Sequence, residues 1–461
     1  MAVPFRTRIA YAMPAFAMAV VGIPFYVYMP KFYTDVVGVD IAVMGVILLA
    51  MRLFDGVIDP FIGGASDRTH SSWGRRRSWM DWGLLPFVGA LLATFIPPEG
   101  MTPLAAALWF TACMFAVSFF WSVVQVPYES LGAELSFDFD ERTAILALRD
   151  GLLVIGTVAA VVAPLVVTQV YGLGSDADGE REKYRLVALL YGPAVLIACA
   201  WCIAAVREHA RTRVATPTQN PWRAAAALFG NRPFVLLLAS YTVTAIGSNL
   251  PATLITYYVQ YVIGDPNVEA FLLLYFVTGV VLLPFWVWVS RRIGKKQAWI
   301  VSGLINAVAF AGVFFLGRGD SMGYAVLVVI SGIGYGAALA LPSAMQADVI
   351  DYEELRSGVR REGEIIGLWS VARKLAAALG VGLALPILGW VGYQPNVEQT
   401  PEVVTTLKAL YALAPAVLTV AGLLIAWNYP IGRREHGAIL DAIEARRQGG
   451  TPVDPLTGKP A

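Results

Sequence analysis

The chain reads as a series of long apolar runs broken by short polar stretches. A bilayer core about 30 Å thick asks for roughly 20 apolar residues per helical span. Runs of that kind predict helices over 9–34, 42–65, 80–98, 104–135, 144–171, 186–206, 233–262, 268–290, 297–316, 322–350, 364–392 and 405–429. Several are longer than the bilayer is thick, which implies tilt or extension beyond it. The polar segment 207–232, with Thr216-Pro217-Thr218-Gln219-Asn220-Pro221, divides six spans from six. The expected organisation is an N-terminal six-helix bundle over 1–206, a cytoplasmic linker over 207–232, a C-terminal six-helix bundle over 233–429 and a cytoplasmic tail over 430–461. In that tail, 436–447 is expected to form a short amphipathic helix at the membrane surface, and the last residues are expected to be disordered.

Composition agrees with lipid as the main solvent. Of 461 residues, 57% are apolar and 15% charged, against about 45–50% and about 25% in soluble domains. Net charge is +1, so the placement of charge matters more than its sum, and no nucleic-acid patch stands out. Lys and Arg gather in alternate loops: Arg6 and Arg8, then Arg75, Arg76 and Arg77, then Arg207, Arg211 and Arg213, then Arg291, Arg292, Lys295 and Lys296, then Arg433 and Arg434. That bias predicts both termini in the cytoplasm of a multi-pass inner (cytoplasmic) membrane protein. The first apolar run lacks a small-residue cleavage site and reads as the first span rather than a signal peptide. Cys199 and Cys202 form a C-x-x-C inside an apolar run, which reads as two small helix residues rather than a redox or zinc motif. His70, His209 and His436 fall in cytoplasmic segments, and no nucleophile–base motif appears within the spans, so an enzyme is not expected.

The two halves repeat each other. The second span ends in Gly64-Ala65-Ser66-Asp67-Arg68 before Gly74-Arg75-Arg76-Arg77, and the eighth ends in Ser290-Arg291-Arg292-Ile293-Gly294-Lys295-Lys296. The fourth carries Val126-Pro127 and an acidic end over 138–142, and the tenth carries Leu341-Pro342 and the end Asp351–Arg356. Such parallel six-helix halves resemble the major facilitator fold, an all-α membrane architecture of about twelve transmembrane helices that binds substrate near the midplane.

Charges within spans are costly and normally functional. Asp55 and Asp59 are four apart, hence on one helical face. Two nearby carboxylates in a low dielectric repel unless a cation or proton sits between them; sodium and a proton both satisfy this, and an internal salt bridge with Arg52 is the structural alternative. Gln125, Tyr128 and Glu129 on the fourth span, Arg149 on the fifth, and Trp369 and Lys374 on the eleventh are candidate substrate contacts. Glu129 reads equally as a structural partner of Arg149. Asp67, Arg68 and Arg75, with Glu134 and Asp351, are expected to form a cytoplasmic latch.

These residues resemble the glycoside–pentoside–hexuronide:cation symporter family over nearly the whole chain. The resemblance rests on Phe32-Tyr33-Thr34-Asp35-Val36-Val37-Gly38, Asp55-x-x-x-Asp59-Pro60-x-x-Gly63, Asp67-Arg68-Thr69…Trp73-Gly74-Arg75 and Val126-Pro127-Tyr128. It extends to Asp140-Glu141-Arg142-Thr143 and to Asp348-Val349-Ile350-Asp351-Tyr352 with Arg360-Arg361-Glu362-Gly363. By resemblance, Asp55 and Asp59 match cation-binding carboxylates, Ser122 and Ser370 match hydroxyls that complete the cation site, and Arg149 and Lys374 match basic residues near it. Ile58 stands where a sugar-transporting relative has Asn, and Ala19 and Gln125 stand where it has acids. The family also resembles sodium-coupled lysolipid symporters, which share the paired acids, the Gln-Val-Pro-Tyr stretch and the lysine. The resemblance thus implies symport of a sugar or glycoside with sodium or a proton, or of a lysolipid or other amphiphile; an uncoupled facilitator is the third reading. No cofactor, a small-molecule solute, the lipid bilayer and a monomer are expected.

Overall fold

The computed structural model describes residues 3–71, 73–135, 139–174, 176–206, 228–358, 361–450 and 453–459. Most of the expected linker, 207–227, lies outside them. Helices α1 (Phe5–Val37), α2 (Ile41–Arg68), α3 (Arg75–Phe95), α4 (Pro103–Glu134), α5 (Phe139–Tyr171) and α6 (Ala177–Ala205) make up the first half of the chain. The second half holds α7 (Arg232–Ile263), α8 (Val268–Val281 and Leu283–Ile293), α9 (Lys295–Val313), α10 (Ser321–Ser357), α11 (Glu362–Trp390), α12 (Pro401–Trp427) and α13 (Arg433–Arg447).

Ten of these helices are long and apolar enough to cross a membrane, and the two pieces of α8, bent by 44°, make an eleventh. Pro284 starts the second piece; a proline there removes an N–H donor and crowds the preceding turn, which accounts for the break. The remaining expected span, the third, is α3, 21 residues long, whose first turns are made polar by Arg75, Arg76, Arg77 and Asp81. Large apolar side chains such as Val57, Phe61, Leu108, Ile197 and Leu424 are exposed, as a lipid-facing surface requires.

Local chemistry sets the ends. Asp40 caps α2 by accepting from the Ala42 and Val43 N–H groups at 2.9 and 3.0 Å, and Thr102 caps α4 through the Ala105 N–H. Helix α1 stops at Gly38, whose φ of 95° suits only a residue without Cβ. Helix α1 contains π-helical turns at Pro24–Tyr28 and Tyr33–Val37, α7 ends in one at Val259–Ile263, and α12 has one at Ala409–Leu413.

The chain divides into two compact units. The first comprises residues 1–214 together with 253–273 and 381–406; the second comprises 215–252, 274–380 and 407–461. In the first unit α1 packs on α5 and α6, and α4 packs on α2 and α3. A Cβ on Gly156 of α5 would lie 2.4 Å from the Phe16 carbonyl oxygen and 3.0 Å from the Ala19 Cβ. Small residues at such crossings let membrane helices approach closely. In the second unit α9 packs on α10 and α12, and a Cβ on Gly336 would lie 2.5 Å from the Gly279 carbonyl oxygen.

The tail corrects one expectation. Helix α13 forms over Arg433–Arg447 and packs on the end of α10: Arg446 donates to the Leu355 carbonyl at 2.6 Å, and His436 lies 3.1 Å from Asp351. Beyond it, Asp454 accepts from the Tyr352 hydroxyl at 3.0 Å and from Thr457 at 2.7 Å. Residues 453–459 are therefore folded against α10 rather than disordered, because Asp454 organises a turn that buries its own carboxylate.

Candidate functional site

The paired acids of α2 meet a matching pair of hydroxyls on α4. Ser122 donates to Asp59 Oδ1 at 2.6 Å, and Ser118 donates to Asp55 Oδ1. Both pairs are four residues apart, so one turn of α2 lies against one turn of α4. Both serines are buried. Ser118 escaped the sequence reading, although its place one turn before Ser122 on the same face was a signal. Arg52, one turn before Asp55, lies 3.8 Å over the Tyr26 ring, a cation–π contact.

One turn further along α4, Gln125 Nε2 donates to Glu129 Oε1 at 2.8 Å. The Gln125 Oε1 atom is buried and has no hydrogen-bond partner among the described residues. A buried acceptor left in that state is costly, and a ligand hydroxyl would satisfy it. Arg149 pairs with its neighbour Asp150 at 2.7 Å and lies beside the Tyr11 hydroxyl, whereas Glu129 accepts from Gln125. Tyr128 is 1% exposed and donates to the Tyr11 carbonyl at 2.8 Å, so its hydroxyl is engaged in packing α4 on α1. Ala19 sits at the α1–α5 crossing beside Gly156 and is half-buried.

The second unit places Trp369 against Tyr241, ring centroids 4.2 Å apart and stacked. Trp369 belongs to the buried apolar cluster of that unit, while Ser370 and Lys374 on the same helix are half-buried. Asp351 faces His436, and the adjacent Asp348 holds Lys295 at 2.6 Å. Glu353 is fully buried and accepts from Asn231 at 2.9 Å and from Arg356 at 3.1 Å. The sequence reading named Asp351 but missed Lys295, Glu353 and His436, whose convergence needs α9, α10 and α13 in contact. Of the expected latch, Arg75 is half-buried; the side chains of Asp67, Arg68 and Glu134 lie outside the described residues.

A third constellation, also missed, surrounds Asp35 in the first unit. Its carboxylate accepts from the Thr34, Tyr261 and Tyr393 hydroxyls, each at 2.8 Å, and lies 3.2 Å from Lys31. Thr34 and Tyr257 share a further hydrogen bond at 3.1 Å, and Asn396 donates to the Asp35 carbonyl. Burial and the Asp35 charge push the Tyr393 phenol far above its ordinary range, so it stays protonated and donates.

A bundle of spanning helices in two halves, with acids, hydroxyls and an orphaned amide oxygen inside it, defines a membrane transporter. The chain belongs to the MFS/sugar transport protein family, whose profile matches residues 10–433. It is 26% identical to a glucuronide carrier protein homolog of Escherichia coli, covering 96% of each chain. It is 25% identical to the isoprimeverose transporter of Lactiplantibacillus pentosus, covering 90% of this chain and 86% of that one. Its fold is similar to that of the nucleoside transporter NupG, with a TM-score of 0.63 at 16% identity over 92% of this chain and all of the other. The all-α major facilitator fold follows, and the protein is a transporter rather than an enzyme.

Proposed function

We propose that this protein is a cation-coupled symporter of a sugar or glycoside, working by alternating access. The observation that carries the reading is the α2–α4 ladder, Asp55 with Ser118 and Asp59 with Ser122, one turn from the unsatisfied amide oxygen of Gln125. Carboxylate and hydroxyl oxygens are the hard ligands a sodium ion takes, and a carboxylate in a membrane span equally serves a proton. Gln125 and Glu129 offer the donors and acceptors that sugar hydroxyls need, and the family and the named sugar carriers among its relatives support that solute class. The basic loops, by the positive-inside bias, lie in the cytoplasm of the inner membrane with both termini, and the protein acts as a monomer.

The test is uptake into proteoliposomes under an imposed sodium gradient, proton gradient or neither, with radiolabelled glycosides and lysolipids. Accumulation of a glycoside only with one cation gradient is the expected result. Accumulation of a lysolipid instead would overturn the solute class, and equilibration without accumulation under every gradient would overturn coupling.

A further inference from the structure

A cavity lies in the first unit, away from the α2–α4 ladder, at the end of α1 opposite Arg6 and Arg8. Its volume is about 540 Å³, inside the range of about 300–1,000 Å³ typical of small-ligand pockets. The end of α1, the start of α6, the end of α7 with the loop after it, and Asn396 enclose it. Gln260, Asp176 and Asn396 are exposed at its rim, whereas Tyr28, Phe32, Tyr184 and Thr256 are buried at its floor.

Three properties of this cavity go together. Its floor is aromatic: Phe32 meets Tyr184 edge-on at 5.0 Å, and Tyr28 lies 6.4 Å from the same ring. Two hydroxyls there are orphaned. Tyr28 Oη and Thr256 Oγ1 belong to residues 1% and 4% exposed, and neither has a hydrogen-bond partner among the described residues. Buried polar groups are nearly always satisfied, so two exceptions lining one cavity call for an explanation. Its walls carry five carboxylates against two ammonium groups, and both ammonium groups are already held. Lys183 lies 2.5 Å from Glu180 and 3.6 Å from Glu269, and Lys31 lies 3.2 Å from Asp35. Three of the four π-helical turns among the described residues fall on its walls, and such turns concentrate at functional sites.

We propose that this cavity is a binding site for a neutral polyhydroxylated solute, an entry site for a pyranoside that excludes anionic sugars. The inference rests on the glycoside reading above and on its membrane orientation, which makes this end the outer one. The ring faces of the floor pack against the apolar face of a pyranose. Tyr28 and Thr256 hydrogen-bond its hydroxyls, and Glu180 and Gln260 accept from and donate to the rest. A carboxylate or sulfonate on the sugar finds no unpaired cation and a surplus of negative charge, which focuses an opposing field in a walled cleft. A metal ion is the less fitting occupant, because no three acidic, imidazole or thiol side chains converge as a metal centre among the described residues.

The test uses the protein carrying Gln125→Ala, which weakens glycoside binding beside the α2–α4 ladder, and titrates it with methyl β-glucopyranoside and with methyl β-glucuronide by saturation-transfer NMR. The neutral probe is expected to bind, and the anionic one to bind at least about tenfold more weakly, about 1.4 kcal/mol. Adding Thr256→Val or Tyr28→Phe is expected to weaken the neutral probe about 5- to 20-fold, while the thermal midpoint without ligand stays level or rises, since an unsatisfied buried hydroxyl has been removed. Equal binding of both probes, or unchanged binding with a lowered midpoint in both hydroxyl variants, would overturn the proposal. Wild-type uptake separates the two readings. Lysolipid uptake with glucoside still bound in the cavity overturns only the proposed function. Glucoside uptake with an unchanged KM in Thr256→Val, and no binding in the Gln125→Ala background, overturns only the entry site.

Discussion

Replacing Asp59 with Asn separates charge from shape. Asn has nearly the same volume and keeps an oxygen that can accept from the Ser122 hydroxyl, which lies 2.6 Å from Asp59 Oδ1. Exchanging a hydrogen bond to a charged group for a neutral one costs about 1 kcal/mol, so the fold survives. The coupling does not. One monovalent charge moving down a membrane potential of about 100 mV releases about 2.3 kcal/mol, which sustains roughly a 50-fold solute gradient at about 1.4 kcal/mol per decade. Wild type is expected to approach that ratio, whereas Asp59→Asn should stop near equal concentrations. Ser122→Ala should fall between, because losing a hydrogen bond to a charged group, about 1.5–3 kcal/mol, lowers cation affinity on the order of 10- to 100-fold without removing the site. The assay is radiolabelled uptake into proteoliposomes under a potassium diffusion potential, with a thermal melt of each variant and solute counterflow measured without a gradient. An Asp59→Asn protein that melts like wild type and still concentrates solute about tenfold or more would refute the role of the ladder.

Three further outcomes follow from the geometry. Gln125→Ala should raise the Kd for a neutral glycoside about 10- to 100-fold while changing that for an amphiphile little, since only the former needs the amide oxygen; ligand-induced thermal shifts measure both. Tyr393→Phe should lower stability by about 1–2 kcal/mol by removing one of three hydroxyl donors to Asp35. Because the folded-state phenol is raised above its unfolded value near 10, that contribution is complete below about pH 10 and declines only above it, so the difference in melting temperature from wild type should be flat between about pH 6 and 9. Gly156→Ala should destabilise by about 1–3 kcal/mol, because its Cβ would lie 2.4 Å from the Phe16 carbonyl oxygen, whereas Gly151→Ala, with nothing within 4 Å, should be neutral or slightly stabilising in the same denaturation assay.

The apolar runs alone determined that the chain is a bundle of spanning helices, because the length of such a run is matched to the thickness of a bilayer and to nothing more distant. The spacing of Asp55 and Asp59 likewise placed both acids on one face, since helical periodicity is local. The break in α8 was also latent in the sequence as Pro284, but a continuous apolar run over 268–290 concealed it. What each acid meets is another matter. Asp59 meets Ser122 only because α2 and α4 pack in one particular register. Tyr128 turns its hydroxyl to the Tyr11 carbonyl rather than to a ligand because α4 is rotated onto α1 there. Asp35 gathers donors from positions 34, 261 and 393, and α13 folds back on the end of α10. Those arrangements depend on the rotation and register of helices against one another, set by close approaches such as Gly156 on Phe16. Periodicity within one helix fixes which side chains share its face, but interhelical packing, which no single segment encodes, decides what that face touches.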